Sequence, residues 1–315
     1  MMTVPARWPV MVGLGEILWD LLPTGKALGG APANFVYHAH ALGAVASVVS
    51  AVGRDNLGQE ILQRLDHLGV NRNFVAEDSL HPTGTVSVQV DKRGIPEYII
   101  HEDAAWDFIP YEPGLDSLAA TADAVCFGSL GQRSAVSRTT IQRFLAATRP
   151  ECKRVLDINL RQHFYTRDII IQSLELSNIL KLNEDELPVL AAMFALHGQV
   201  EDQLSQLLRR YHLEVIALTR GSRGAMLQTP HETVDCPGFS VVIADTVGAG
   251  DAFTAAMTIG LLARRPLMEV NRQACQVAAF VCSQPGATPK IPAELAAKIC
   301  LQSHVDTPAN APGPY

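Results

Sequence analysis

The sequence predicts an α/β fold in which helices cover a mostly parallel central sheet. Two observations predict this class: short apolar strand patterns alternate with longer helical patterns, and neither an internal repeat nor a linker interrupts the sequence. The 315 residues are enough to bury a sizeable core, so we expect one domain.

Each element follows from its local pattern. Strand patterns cover residues 10–15, 46–52, 124–127, 155–158, 179–182 and 215–218, and helical patterns cover 35–42, 58–68, 137–147 and 200–211. One segment differs: Val86, Val88 and Val90 alternate with polar residues, and a turn at 91–94 leads into a second strand pattern at 95–100. This pattern predicts a hairpin with one face in solvent.

The most informative motif is the run Asp245-Thr246-Val247-Gly248-Ala249-Gly250-Asp251. It lies between an apolar strand pattern at 241–244 and a helical run at 252–263, so a strand, a glycine turn and a helix are expected. Bare N–H groups at a helix start form a site for an anion such as phosphate. Asp251 stands in the first helical turn, where a carboxylate either favours the helix start or accepts a proton. The motif alone leaves both roles open.

Two familiar phosphate-binding loops fit this sequence poorly. A P-loop requires Lys-Ser/Thr after its second glycine, whereas Asp251-Ala252 follow Gly250. The dinucleotide fingerprint requires a third small residue, but the two Gly-x-Gly runs lead to Phe253 and Leu18. The sequence therefore excludes a P-loop and contains no convincing Rossmann turn.

A second polar cluster lies near the amino terminus. Asp20 follows the first strand pattern, and Gly29, Gly30 and Asn34 precede the first helical pattern. Asp and Asn together supply acceptors and donors for several hydroxyl groups, as a sugar requires. Each also has an ordinary structural role, Asp20 in a solvated turn and Asn34 at a helix start.

These motifs together resemble the PfkB/ribokinase family of ATP-dependent carbohydrate kinases. The resemblance covers roughly residues 10 to 300 and rests first on Gly29-Gly30-x-x-x-Asn34 and the 245–251 run. Four further motifs match in the family's order: Ala51-Val52-Gly53-Arg54-Asp55-x-x-Gly58, Asp157-Ile158-Asn159-Leu160-Arg161, Asn183-Glu184-Asp185-Glu186 and Thr219-Arg220-Gly221-Ser222-Arg223-Gly224. The resemblance implies a ribokinase-like three-layer α/β/α sandwich. One kinase domain would span residues 1–303, with a small β lid from about 17–29 and 83–110 and a loose tail at 304–315.

The resemblance also assigns roles to matching residues. Asp251 is the expected catalytic base, which takes the proton of a sugar hydroxyl as that oxygen attacks the γ-phosphate of ATP. The other implied roles are an anion hole at Gly248, Ala249 and Gly250, sugar binding at Asp20, Gly30 and Asn34, nucleotide binding at Asn183, Thr219, Gly221 and Gly224, and Mg²⁺ binding through water at Glu186. Asn183 and Glu186 also fit the start of an acidic helix, and both readings can hold together.

The choice of substrate rests on fewer residues. The run Gly15-Glu16-Ile17-Leu18-Trp19-Asp20 is most similar to bacterial fructokinases, which makes fructose the expected substrate. Arg161 either reaches an acidic sugar or pairs with a carboxylate such as Asp157. Trp106, in the expected lid, either covers the apolar face of a sugar or is a packing residue. Segment 98–106 lacks the lid arginine of relatives that act on 2-keto-3-deoxygluconate, which argues against an acidic substrate.

Other functions stay open at this point. The alternatives are a kinase for another ketose, 2-keto-3-deoxygluconate, ribose or a nucleoside, and a non-catalytic sugar or nucleotide sensor on the same fold. The family's K⁺ site falls on Asp245, Val247, Val281, Gln284, Gly286 and Lys290. Lys290 departs from the small residue common there. Its ammonium group either replaces the cation, which would make K⁺ activation weak, or points to solvent.

The composition argues against several classes of partner. The 25 basic and 32 acidic residues give a net charge of −7 without a long basic cluster, so nucleic-acid and acidic-membrane binding have no electrostatic support. Gly13, Glu16 and Asp20 break the first apolar run, which predicts a strand and not a signal peptide or membrane span. The six scattered cysteines predict free thiols in a reducing cytoplasm. The apolar face of the hairpin is consistent with a homodimer through the lid sheet.

Overall fold

A computed structural model describes residues 7–23, 25–90 and 96–300. The strands are, in chain order, β1 (Val10–Leu14), β2 (Leu18–Leu22), β3 (Gly25–Gly29), β4 (Val45–Gly53), β5 (Asn71–Asp78), β6 (Gly84–Val90), β7 (Pro96–Ile100), β8 (Ala124–Phe127), β9 (Lys153–Asp157), β10 (Ile179–Asn183), β11 (Val215–Thr219), β12 (Ala225–Gln228) and β13 (Thr233–Cys236). The helices are α1 (Ala31–Ala41), α2 (Asn56–His67), α3 (Leu115–Thr121), α4 (Ala135–Ala146), α5 (Arg167–Leu176), α6 (Glu186–Phe194), α7 (Val200–Tyr211), α8 (Ala249–Leu262), α9 (Leu267–Cys282) and α10 (Ala293–Ile299). The predicted loose tail at 304–315 lies outside the described residues.

The central sheet of the described residues has nine strands in the order β13-β12-β11-β10-β9-β8-β1-β4-β5. Every neighbouring pair from β11 to β5 is parallel. β12 and β13 extend one edge in antiparallel fashion. Parallel neighbours require crossover connections, which most of the helices supply. The predicted mostly parallel sheet is confirmed.

Helices cover both faces of this sheet and create two hydrophobic cores. One core contains Phe35 of α1 and Phe253 of α8. The other contains Phe144 of α4 and Leu207 of α7. This arrangement confirms the three-layer α/β/α architecture.

Helix α7 shows how local sequence determines an element. Leu204, Leu207 and Leu208 recur at helical spacing and are buried, while most residues between them are polar. The backbone N–H of Gln199 donates a hydrogen bond to Asp202 Oδ2 at 3.1 Å, which stabilises the helix start. The helix occupies the predicted residues 200–211.

A smaller sheet has the strand order β3-β2-β6-β7 and comes from the segments expected to form the lid. The predicted hairpin of β6 and β7 is confirmed as an antiparallel pair, although its turn at 91–94 lies outside the described residues. Asp55 fixes the start of β6: its carboxylate accepts hydrogen bonds from the backbone N–H groups of Gly58 and Thr83, both at 2.8 Å. The motif around Asp55 therefore joins the small sheet to the start of α2.

The strand predicted at residues 241–244 was wrong, because this segment is irregular. Val242 is 88% exposed and Ile243 is 62% exposed, so the segment does not pack as a core strand. Val241 and Ile243 instead line a cavity. The apolar run therefore reflects a cavity wall and an exposed loop.

The cysteines have the predicted state. All six are free, and Cys126, Cys152, Cys236 and Cys275 are buried. Among the helices of the described ranges, none combines the length and the apolar character that a membrane crossing requires.

Candidate active site

A cavity of about 1020 Å³ opens at the carboxyl ends of the parallel strands, the usual location of ligands in open α/β sheets. Side chains of the small sheet line its other side. The predicted site residues that line it are Asp20, Gly30, Asn34, Arg161, Asn183, Thr219, Gly221, Gly224, Val247, Gly248, Ala249, Gly250 and Asp251. The structure therefore brings most of the predicted catalytic, sugar and nucleotide positions to one cavity.

Asp251 lies in the first turn of α8 and faces Asn34 of α1. The Asn34 side-chain Nδ2 donates a hydrogen bond to Asp251 Oδ2 at 2.9 Å and so joins two motifs that are 217 residues apart. Helix α8 begins after Gly248 without a side-chain cap, so the carboxylate is not occupied in capping. This geometry favours the proton-acceptor role for Asp251.

The surroundings of Asp251 make it a stronger base than an exposed aspartate. Burial raises the pKa of Asp251 to about 6, and the nearby Asp157 carboxylate adds to the rise. The hydrogen bond from Asn34 and the positive charges of Lys181 and Arg161 oppose the shift in pKa. At neutral pH the carboxylate is therefore mostly ionised and able to accept a proton.

The turn before Asp251 requires glycine at its first position. Gly248 has a φ of 78°, and a Cβ placed there would lie 2.5 Å from the Ala287 carbonyl oxygen. The turn leads directly into α8, whose first N–H groups have no partners within the helix and carry partial positive charge. The backbone of residues 248–250 thus starts the helix beside the carboxylate, although the Ala249 N–H donates a long hydrogen bond of 3.4 Å to the Thr246 carbonyl.

Lys181 of β10 places a buried positive charge behind this turn. The lysine is 6% exposed, and its Nζ lies 3.0 Å from Asp157 Oδ1. Thr254 Oγ1 donates a hydrogen bond to the other Asp157 oxygen at 3.0 Å. The same Nζ is 3.1 Å from the position of a Cβ added at Gly250, so the charge closely approaches this turn. The sequence motifs missed Lys181. Its only signal was a lysine inside the apolar strand pattern at 179–182.

The cavity wall that contains Asp20 is crowded around two glycines. A Cβ at Gly29 would lie 2.4 Å from Asp20 Oδ2, and one at Gly30 would lie 2.4 Å from the Glu16 carbonyl oxygen. Burial raises the pKa of Asp20, while the positive charge of Arg161 lowers it. The paired glycines therefore let the Asp20 carboxylate and the start of α1 approach each other.

The turn from Thr219 to Gly224, predicted to bind nucleotide, also lines the cavity. Thr219 ends β11, and Gly221 and Gly224 have φ values of 56° and 85°. A Cβ at Gly224 would lie 2.0 Å from the Cys236 carbonyl oxygen, so this position accepts only glycine without rearrangement. The turn thereby presents bare backbone to the cavity.

Asn183 and Glu186 stabilise the start of helix α6, which is the structural role that the sequence left open. Asn183 Oδ1 accepts hydrogen bonds from the backbone N–H groups of Asp185 and Glu186, both at 2.9 Å. Glu186 is buried, and its two oxygens accept the N–H groups of Leu160 at 2.9 Å and Asn183 at 2.8 Å. Asn183 still lines the cavity, whereas Glu186 faces the backbone between β9 and β10. In the described ranges, no group of three or more His, Cys, Asp or Glu side chains is arranged to hold a metal.

Trp106 and Arg161 differ in their relation to the cavity. Arg161 is exposed and lines the cavity. Trp106 is fully buried in a cluster with Leu18 and Phe164, and the Arg133 guanidinium lies 4.0 Å from its ring centre. The indole is not among the residues that line the described cavity. The expectation that it covers a sugar is therefore replaced by a packing role.

The residues of the predicted cation site come from the segment before α8, from the last turn of α9, which contains the buried Val281, and from the loop after α9. Asp245 accepts hydrogen bonds from the N–H groups of Val247 at 3.0 Å and Gly286 at 3.1 Å. Lys290 is exposed. Tyr37 of α1 donates a hydrogen bond to the Pro289 carbonyl at 2.9 Å, which fixes this loop to the helix that carries Asn34.

The sequence profile of the pfkB family carbohydrate kinases matches residues 23–294. The chain belongs to this kinase family. A sugar kinase of Pyrococcus horikoshii, described as uncharacterised, is 28% identical over 297 residues, which cover 88% of this chain and 91% of that protein. The fructokinase of Escherichia coli is 27% identical over 267 residues, or 79% of this chain and 83% of that protein.

Solved structures share the fold of this chain. The crystal structure of the Pyrococcus horikoshii sugar kinase has a TM-score of 0.78 at 25% identity and covers 93% of this chain and 100% of its own. A fructokinase of Xylella fastidiosa with bound ATP has a TM-score of 0.82 at 21% identity and covers 92% of this chain and 98% of its own. The ribokinase-like fold thus extends over nearly the whole chain.

Proposed function

We propose that this sugar kinase transfers the γ-phosphoryl group of ATP to a hydroxyl group of fructose. The observation that supports the proposal is the Asn34–Asp251 hydrogen bond of 2.9 Å, because it joins a residue of the amino-terminal motif to the carboxylate that follows the glycine turn. A non-catalytic sensor would have no need for a carboxylate with a raised pKa at this point.

Asp251 supplies the base for the reaction. The O–H bond of the sugar hydroxyl breaks and its proton passes to the Asp251 carboxylate. The sugar oxygen forms a bond to the γ-phosphorus of ATP, and the bond from that phosphorus to the ADP oxygen breaks. Phosphoryl transfer depends mainly on positioning and on charge stabilisation. Asn34 orients the acceptor through its hydrogen bond, and the raised pKa of Asp251 brings it nearer to the pH at which it works.

The phosphate groups would lie against the turn that starts α8. The N–H groups of Gly248, Ala249 and Gly250 are fixed before the reaction begins, so they stabilise developing negative charge without reorganisation. Lys181 adds a buried positive charge close to Gly250. The bare turn between Thr219 and Gly224 would hold the rest of the nucleotide.

The oxygen atoms of the side chains at the end of β10 are ligands of the kind that Mg²⁺ prefers. Asn183 and Asp185 line the cavity, and Mg²⁺ typically takes only one or two carboxylates while it keeps several waters. Each Glu186 oxygen accepts one backbone N–H and retains a lone pair, but the side chain lies behind the cavity wall, so its role at Mg²⁺ requires a water that reaches it from the cavity. When bound, Mg²⁺ would neutralise negative charge on the phosphates.

The choice of fructose is supported by the fructokinase of Escherichia coli among the relatives and by the fructokinase-like run at Gly15 to Asp20. A coupled assay of ADP release with Mg-ATP should compare fructose, tagatose, ribose, 2-keto-3-deoxygluconate and adenosine. We expect fructose to give the highest kcat/KM. Efficient turnover of another compound with fructose inert would reject fructose and retain the phosphotransfer reaction.

The reaction should lose rate in acid as Asp251 becomes protonated. The pKa of Asp251 is raised to about 6, so the fraction that can accept a proton falls below that pH. With saturating substrates, kcat should fall by about tenfold for each pH unit below 6 and level off above about 7. A kcat that stays constant between pH 7 and 5 would contradict the assigned base.

The response to K⁺ should not depend on Lys290. Because Lys290 is exposed, we expect its ammonium group to be hydrated and not to occupy the cation site. Wild type and Lys290→Ser should therefore show the same ratio of rates in K⁺ and in a bulky organic cation. A larger K⁺ activation in Lys290→Ser would show that the lysine replaces the ion.

Two expectations from the sequence stay predictions. Leu21 is an exposed apolar side chain on the face of the small sheet opposite to the cavity-lining Leu18 and Asp20, and it supports a homodimer through that sheet. The second of these predictions is a cytoplasmic location.

A further inference from the structure

Glu16 lines the same cavity as Asp251, although the sequence motifs give it no role. It lies in the loop between β1 and β2 and is 2% exposed. Asp20, on the strand that follows, lines the cavity as well. A carboxyl group that is buried beside a ligand cavity requires a physical reason to be there.

One oxygen of the Glu16 carboxyl group lacks a hydrogen-bond donor. Its Oε2 is buried and accepts no hydrogen bond from the residues that the structure describes. Asn34 Oδ1 is a second buried acceptor without a donor in the described chain, and Asn34 lines the same cavity. Buried acceptors without donors are rare because they cost free energy. A ligand with several hydroxyl groups can supply donors to both side chains.

Room for this carboxyl group is provided by a glycine. A Cβ added at Gly131 would lie 3.2 Å from Glu16 Oε2. Leu130, the neighbour of Gly131, lines the cavity. The Glu16 side chain is therefore held at the cavity wall.

The charged and titratable groups that face Glu16 come from three elements. They are Arg161 after β9, Asp251 of α8 and Cys126 of β8. Burial raises the pKa of Glu16 to about 7, and the negative charge of Asp251 acts in the same direction. The backbone N–H groups of Glu16 and Ala31 and the Arg161 charge act against the rise. Glu16 thus changes charge close to neutral pH.

We propose that Glu16 is a specificity-determining sugar contact, whose carboxylate accepts a hydrogen bond from a hydroxyl group other than the one that faces Asp251. The inference rests on the proposed kinase reaction and extends it to the non-reacting part of the substrate. It selects a ligand with at least two hydroxyl groups, so an analogue that lacks the second hydroxyl binds poorly. Because only the ionised carboxylate accepts this bond at full strength, sugar affinity falls as the pH drops through 7.

Glu16→Gln tests the contact with little change in volume. Loss of the charged acceptor should raise the KM for the sugar by about tenfold and change kcat and the KM for ATP much less. In wild type the KM for the sugar should rise as the pH falls from 8 to 6. This pH dependence of the sugar KM should disappear in Glu16→Gln. The fall of kcat in acid, which comes from protonation of Asp251, should remain.

Asp116→Asn is the matched control, because it removes a carboxylate charge from an exposed residue outside the cavity. We expect wild-type constants and the wild-type pH profile for this control. Thermal unfolding of all three proteins shows whether Glu16→Gln is folded. If it is not, the wild-type KM profile decides the question. A flat profile between pH 8 and 6, or an unchanged sugar KM in folded Glu16→Gln, overturns the role of Glu16.

Calorimetric titration of the sugar into wild type and Glu16→Gln separates this inference from the reaction on which it rests. A sugar that binds wild type without being phosphorylated overturns the proposed reaction. Its affinity for Glu16→Gln still decides the role of Glu16, since about tenfold weaker binding supports the contact and equal binding rejects it. Absence of sugar binding to wild type overturns both.

Discussion

The variant Asp251→Asn is expected to lower kcat by roughly a hundredfold or more, the usual range for loss of a general base. The amide has nearly the same shape as the carboxylate and keeps an oxygen that can accept the hydrogen bond from Asn34. Binding of sugar and ATP should therefore change little, and the loss should fall on the chemical step.

Initial rates and calorimetric titrations of both substrates measure this effect. The pH profile provides a second reading, because the acid loss of kcat near pH 6 should vanish together with the titrating group. Asp66→Asn is a suitable control, since Asp66 is exposed and pairs with Arg72 outside the cavity. Wild-type turnover in Asp251→Asn would refute the assignment of the base.

The variant Gly248→Ala should have the second large effect, with a loss of roughly a hundredfold in kcat. The added methyl group would lie 2.5 Å from the Ala287 carbonyl oxygen, and alanine is strained at a φ of 78°. The turn must shift to relieve this contact. Its N–H groups then no longer point to where charge develops during transfer.

Gly114→Ala separates this loss from general backbone strain. Gly114 has a φ of 98°, and an added Cβ would meet only Phe74, at 3.6 Å. We expect about 1–2 kcal/mol of lost stability, measured by urea unfolding, with turnover retained. If Gly248→Ala remains folded and keeps full kcat, the turn is not the anion hole.

Much of the fold followed from the sequence because its strongest patterns are local. The apolar strand at 124–127 is buried on both sides, and the periodic leucines of α7 are buried along one stripe of the helix. Such patterns identify strands and helices directly. The segment at 241–244 failed for the opposite reason. Its apolar residues line a cavity or face solvent, and burial is what the pattern assumes.

The candidate site was predictable where backbone geometry demands glycine. Gly30, Gly224 and Gly248 all have positive φ and sites where a Cβ would lie within 2.5 Å of backbone atoms, so their motifs carry a structural signal. Glu16 and Lys181 carry no such signal. Their importance comes from burial and from groups that are distant in sequence, such as Asp157 and Asp251 beside Lys181, and these appear only in the folded chain.

A crystal structure with the preferred sugar and a non-hydrolysable ATP analogue tests the central claim most directly. We predict one sugar hydroxyl within about 3 Å of an Asp251 carboxylate oxygen, the distance of a hydrogen bond, with the terminal phosphate on the N–H groups of residues 248–250. A sugar bound away from Asp251, or phosphates that do not contact this turn, would contradict the account.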